Sequence, residues 1–200
     1  MSDFFNVLYD ANTYPDRWHL DDPMDDSGNF LEANLLPRMG PYLGPRIATV
    51  QIDARYPGRP LDFSFGYFNY LVVRTFVVDL IERFGGRIQR FPVILTSSDE
   101  TGYEVIFTLE APKGLIDLAR ADEYQFHEAS DLEVDLRYGG IPLRQKGMLY
   151  KVYDLYIDSE RAKGLTIFRP WEYASLIISG ELKRAFEAAG VTGIQYRRVS

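Results

Sequence analysis

The chain has 200 residues, 46% of them apolar and 14% aromatic, with no cysteine and a formal net charge of −7. Such a composition can fill a core and does not fit a disordered segment, and the missing thiols exclude a disulfide framework, a cysteine nucleophile and a cysteine-ligated zinc site. The acidic balance disfavours binding to phosphate backbones and favours basic protein partners.

The charge is unevenly placed. Residues 1–36 hold eight acids against one base, residues 117–135 hold seven against one, and residues 137–200 hold eleven bases against six acids. Two acidic segments therefore stand beside a mildly basic C-terminal part. The opening MSDFFNVLYD lacks the basic start and apolar core of a secretion signal, and no apolar run approaches the ~20 residues that cross a bilayer. The expectation is a cytoplasmic protein with no membrane contact and no nucleic-acid partner.

Taken in order, residues 3–9 (DFFNVLY) predict an opening strand, with Arg17 to Leu20 pairing back onto it after a turn. LDDPMDDSGNF follows, whose aspartates, proline and Ser-Gly-Asn turn predict an exposed loop. From Leu35 to Pro60 five prolines break regular structure and leave room for one strand, ATVQID, in a packed connection. Leu71, Val72 and Val73 begin an apolar run that continues into a helix over about 75–85, with Phe76, Val77, Leu80, Ile81 and Phe84 on one face. Gly85 and Gly86 end it, RIQRFPVIL supplies a strand, and Tyr103 to Leu109 supplies another. The acidic stretch from Ile116 to Tyr138 is irregular, with room for short strands and a turn near Ala129, Gly139 and Gly140 introduce a return, and Met148 to Ile157 reads as one long strand.

The last segment is the clearest. Leu176, Ile177 and Ile178 form a short buried strand, and a helix over about 180–189 follows with Leu182, Ala185, Phe186 and Ala189 on one stripe. Ser179 is placed to cap its first turn and Gly190 to end it in a left-handed conformation. Ile194, Tyr196 and Val199 then predict a closing strand with a basic outer face. A shift of 105 residues lays Leu71, Val72, Val73, Glu82 and Gly85 over Leu176, Ile177, Ile178, Glu187 and Gly190. That echo fits two halves on one plan and fits equally any pair of strand-helix-strand units. The fold class expected is α+β, with mixed, mostly antiparallel sheet and two main helices, in a single domain over 1–200 that can be divided into 1–110 and 111–200.

Three stretches carry a resemblance: IFRP (Ile167 to Pro170), LIISGELKRAFEAAGVTGIQY (Leu176 to Tyr196) and the preceding YKVYDLYIDSERAKGLTIFR (Tyr150 to Arg169). Fainter echoes are the FFNVL start with RWHL at Arg17 to Leu20, RFPVI at Arg90 to Ile94 and KGLIDL at Lys113 to Leu118. Together they resemble the myxococcal-type immunity-protein domain, a family of bacterial antitoxin partners in polymorphic toxin and type VI secretion systems. The resemblance implies a non-enzymatic protein that binds a cognate toxin and occludes its active site or substrate channel. It implies no cofactor, and it leaves the oligomeric state open.

No catalytic motif competes with that reading. His19 and His127 stand in no recognisable nucleophile or base constellation, and no phosphate-cradling glycine pattern appears. The DDPMDD cluster lacks the ligand spacing of a calcium loop, so no metal site is assigned; its readings are a solvated loop or a recognition loop facing a cationic site. Asp131, Glu133 and Asp135 alternate with Leu132, Val134 and Leu136, a half-buried strand exposing carboxylates. Trp18 and Trp171 are placed in the core rather than at a binding surface. The candidate partner-binding residues are Asp21, Asp22, Asp25, Asp26, Glu123, Glu128, Asp131 and Glu133. If the toxin is a nuclease, these acids would substitute for phosphate in its basic groove. The alternative is a small hydrolase built on a histidine or carboxylate pair in a concave pocket.

Overall fold

The strand-helix-strand plan is built twice. A computed structural model describes residues 3–31, 46–66, 70–121, 123–127, 148–173 and 175–200. In chain order the described elements are β1 (Phe4–Tyr9), β2 (His19–Leu20), β3 (Val50–Ile52), β4 (Ala54–Tyr56), β5 (Phe63–Phe65), β6 (Leu71–Arg74), α1 (Thr75–Arg83), β7 (Ile88–Leu95) and β8 (Tyr103–Thr108). They continue with β9 (Glu123–Phe126), β10 (Leu149–Tyr153), β11 (Ile167–Phe168), β12 (Ile177–Ser179), α2 (Gly180–Ala188) and β13 (Ile194–Arg198). The fold is α+β with mostly antiparallel sheets, as the element order predicts.

In the first unit β6, α1 and β7 form a strand-helix-strand whose two strands are held apart by β8, antiparallel to both; β5 and β3 complete a five-stranded sheet in the order β3-β7-β8-β6-β5. Only β3 and β7 are parallel neighbours, which makes this sheet mixed. The second unit repeats the device. β12, α2 and β13 are split by β1, antiparallel to both, in the order β11-β12-β1-β13. The helices open at Thr75 and Gly180 and close at Arg83 and Ala188, each pair 105 positions apart, and Gly85 and Gly190 end them with φ of +80° and +69°. The inserted strand has a different origin in each unit: β8 follows β7 directly, whereas β1 lies far upstream of β12.

Packing explains why the LVV and LII runs do not alternate. One core lies between the units: Leu71, Val73, Val77, Ile81 and Ile106 from the first meet Val7, Ile178, Leu182, Phe186 and Ile194 from the second. The opposite face of the five-stranded sheet is covered as well, Val72, Val105 and Phe107 packing with Trp18, Leu20 and Ile52. On the outer face of the four-stranded sheet, Phe4, Ile177 and Val199 pack with Leu115, Leu155 and Ile157. Strands buried on both faces read as continuous apolar runs.

A cluster of hydrogen bonds at Asp62 and Thr192 clasps the units. Thr192 donates its hydroxyl to Asp62 Oδ2 (2.7 Å) and its amide to the same oxygen (3.0 Å), while the Asp62 amide donates to Thr192 Oγ1 (3.0 Å). The next residue, Gly193, has φ +98°, and a Cβ there would lie 2.2 Å from the Phe63 carbonyl oxygen.

Three expectations are corrected. Arg17 to Leu20 does not pair with β1, whose two edges are taken by β12 and β13; His19 and Leu20 pair with Tyr56 and Ala54 of β4. The buried face of α1 is Val77, Val78 and Ile81, with Phe76 and Phe84 exposed. The helix starts immediately after β6, so the strand sets its rotational phase and overrides the widest apolar stripe. The long strand predicted over 148–157 stops at Tyr153, because Asp154 takes a left-handed φ of 50°. The Gly139–Gly140 return and the alternating acids at 131–135 lie outside the described residues.

Candidate functional site

The acidic segment after β2 is a built loop. Met24 exchanges backbone hydrogen bonds with Gln51 of β3 (2.7 and 2.9 Å), which pins the loop to the sheet edge. Asp25 Oδ1 accepts the amides of Ser27 (2.8 Å) and Asn29 (2.9 Å), and these bonds, that of the Asn29 backbone first, hold its carboxyl below the ordinary range. Asp26 accepts the amides of Ala48 (3.0 Å) and Thr49 (2.9 Å). Asp25 and Asp26 therefore spend their oxygens on loop structure. Asp21 accepts the Asp22 amide (2.9 Å) on Oδ1 and the Tyr70 hydroxyl (2.5 Å) on its carbonyl. Asp22 is half-buried with Oδ1 lacking a hydrogen-bond partner among the described residues, and burial, reinforced by Asp21 and opposed by Arg55, raises its carboxyl.

Glu123 sits elsewhere, on the β9–β10 ribbon, where Lys151 Nζ approaches it at 3.2 Å and lies 4.2 Å from the centre of the Tyr153 ring. This ribbon is unusual in its exposed aromatics: Tyr124, Phe126, Tyr150 and Tyr153 are 41–57% exposed, and Tyr124 and Phe126 meet edge to face at 5.8 Å. Val152 and Leu155, from β10 and the turn beyond it, pack into the outer core of the four-stranded sheet, so the ribbon is anchored at its base. Glu128, Asp131 and Glu133 lie outside the described residues. The described acids thus divide between a loop clipped to β3 and, for Glu123, a ribbon on the second unit.

A cleft of about 770 Å³ opens where the two units meet, between β5 of the first and β1 of the second, with β2 and β4 contributing to its lining. Its walls include Val7, Leu61, Phe65 and Leu176, and its polar groups include Asn6, Arg17, Asp21, Ser64 and Arg169. Trp18 is core, as expected, and also lines the cleft, donating Nε1–H to Ser64 Oγ at 2.8 Å. Trp171 is instead only half-buried, with Lys113 Nζ 4.3 Å from its ring centre. His19 reaches the cleft exposed and edge-on to Tyr56 at 5.8 Å, and it makes no hydrogen bond to a serine or carboxylate among the described residues.

Sequence reasoning found the acids and missed both the aromatic ribbon and the cleft. The signal for the cleft was a polar residue inside an apolar run: Asn6 within FFNVLY and Arg169 after Ile167 and Phe168, 8% and 4% exposed. Among the described residues no three His, Asp or Glu side chains converge as metal ligands, and no helix is long and apolar enough to cross a membrane. No protein-family model matches this chain, and no curated protein does.

Proposed function

We propose that this chain is an immunity-type protein that binds and neutralises a basic toxin in the cytoplasm of the producing cell, using a preformed surface and no chemistry of its own. The observation that carries the reading is the β9–β10 ribbon: four aromatic side chains held in solvent beside Glu123, on strands anchored to a core. Large rigid aromatics give contact area at small entropic cost and are enriched at binding hot spots. The net charge of −7 and the Asp21 to Asp26 loop favour a cationic partner by steering its approach. The likeness of residues 150–196 to an immunity-protein domain supports the same reading. Such a partner is a nuclease with a basic groove, or another toxin whose active site is ringed by lysine and arginine.

The hydrolase alternative meets a concave cleft but no nucleophile-and-base pair in it among the described residues.

The test is survival. Expression of the toxin domain encoded beside this chain should arrest growth, and co-expression of the chain should restore it. Tyr124→Ala combined with Tyr150→Ala should abolish rescue while leaving thermal unfolding unchanged, because both side chains are exposed. Full rescue by that double variant, or no rescue by the native chain, contradicts the proposal.

A further inference from the structure

The acidic loop and the strands beside it carry a row of side chains that the core does not use. β7 pairs Ile94 with Gln51 of β3, Gln51 exchanges backbone bonds with Met24, and Met24 bridges Phe30 across the loop. Residues paired across neighbouring strands share one face of a sheet, so Ile94, Gln51, Met24 and Phe30 form a row, about 14 Å long over three strand spacings. Val50, Ile52 and Leu95, their neighbours along the strands, point to the other face and are buried. The row itself meets solvent: Phe30 is 65% and Ile94 54% exposed, Met24 and Gln51 are half-buried between them, and Pro92, next to Ile94 on that face of β7, is exposed as well.

Single exposed apolar residues are ordinary, whereas a contiguous set of them marks a contact surface. This set is held in place before any partner arrives. The Asp25 amide donates to the Asn29 carbonyl and the Leu31 amide to the Pro23 carbonyl, both at 2.8 Å, and Leu31 is buried, so the backbone that carries Phe30 is already ordered. The surrounding charge says what covers the row. Residues 21–31, 46–52 and 92–100, which supply and border it, hold six acids and one base, Arg46. Asp26 keeps its charge while it accepts the Ala48 and Thr49 amides, and Asp99 stands exposed in the turn after β7. A second copy of the chain would set the same acids against these, which like-charge repulsion opposes.

We infer that this row is a further contact for the toxin and takes an amphipathic cationic segment of it, apolar side chains on Phe30 and Ile94 and lysine or arginine facing the acids. The inference rests on the proposed function and adds to it a docking site on the first unit, apart from the ribbon on the second. Its test is calorimetric titration of the toxin domain encoded beside this chain into full-length variants. Phe30→Ala combined with Ile94→Thr should weaken the complex about tenfold or more while leaving its salt dependence and the thermal unfolding of the free chain unchanged, because the lost contacts are apolar and exposed. Thr96, exposed two residues beyond Ile94, tests the charge: Thr96→Lys should weaken the complex and Thr96→Glu should tighten it. Native affinity in folded Phe30→Ala with Ile94→Thr, when Tyr124→Ala with Tyr150→Ala loses binding, would overturn this inference and leave the proposed function standing. A response of the same sign to lysine and to glutamate at Thr96 would overturn it as well, and failure of the native chain to bind the toxin domain would overturn both.

Discussion

Asp21, Asp22, Asp25 and Asp26 lie within six residues and do different work. Asp25 and Asp26 bind backbone amides and shape the loop, so reversing either to lysine should loosen it, read as a lower urea midpoint. Asp21 and Asp22 are the pair to reverse to test charge with less damage to the loop, Asp21 holding one backbone amide. Asp21→Lys with Asp22→Lys should slow association with a basic partner and flatten its salt dependence, measured as the association rate across a salt series. Asp22 also gives a pH prediction. Its carboxyl is raised in the fold, so the folded state holds that proton more readily than the unfolded chain, and the group's contribution to stability improves as pH falls. Asp22→Asn should therefore raise the Tm at pH 7, with the gain shrinking towards about pH 4, where the unfolded carboxyl also protonates.

At the scale of elements, the two helices stop alike and differ in how they are started. α2 has Ser179 accepting the Leu182 amide at 3.3 Å, whereas Arg74, the residue before α1, supplies no side-chain cap. Neighbouring charges support α1 and its sheet: Arg90 of β7 makes a two-pronged bond to the buried Glu104 of β8 (2.5 Å for each prong) and reaches Glu82 of α1 at 2.9 Å. Glu104→Ala leaves Arg90 with Glu82 as a remaining partner and partial access to water, so the cost should be about 2 kcal/mol, below the ~3–5 of a wholly buried pair, measured by denaturant unfolding. The helices and most of the strands were legible because their signals are local: a cap, a left-handed glycine, a β-branched run. The face of α1 was not, since tertiary packing set its phase. Nor was the cleft, because Asn6, Arg17, Ser64 and Arg169 are scattered over more than 160 positions and meet only when β1 enters the second sheet. The ribbon was misread for a similar reason. The stretch from Met148 to Ile157, with tyrosines at 150, 153 and 156, reads as one long strand until Asp154 bends the chain.

Across the whole molecule, the first strand and the last unit are one structure. β1 lies between β12 and β13, so a division at residue 110 would take the central strand from the C-terminal sheet. The clasp at Asp62, Thr192 and Gly193 joins the units beside the core they share. Gly193→Ala must strain a left-handed backbone and push against the Phe63 carbonyl; it should cost about 2 kcal/mol or more and lower the Tm in a single transition, since the units share a core. Two separated transitions would mean that the units fold independently. The ribbon is anchored to the outer core of the second unit and the acidic loop to β3 of the first, and the account rests on those surfaces meeting a basic protein. Calorimetric titration of the toxin domain into this chain at several salt concentrations measures it most directly. The account predicts a tight one-to-one complex that weakens with salt and is lost in Tyr124→Ala with Tyr150→Ala; a salt-independent complex indifferent to those two residues would contradict it.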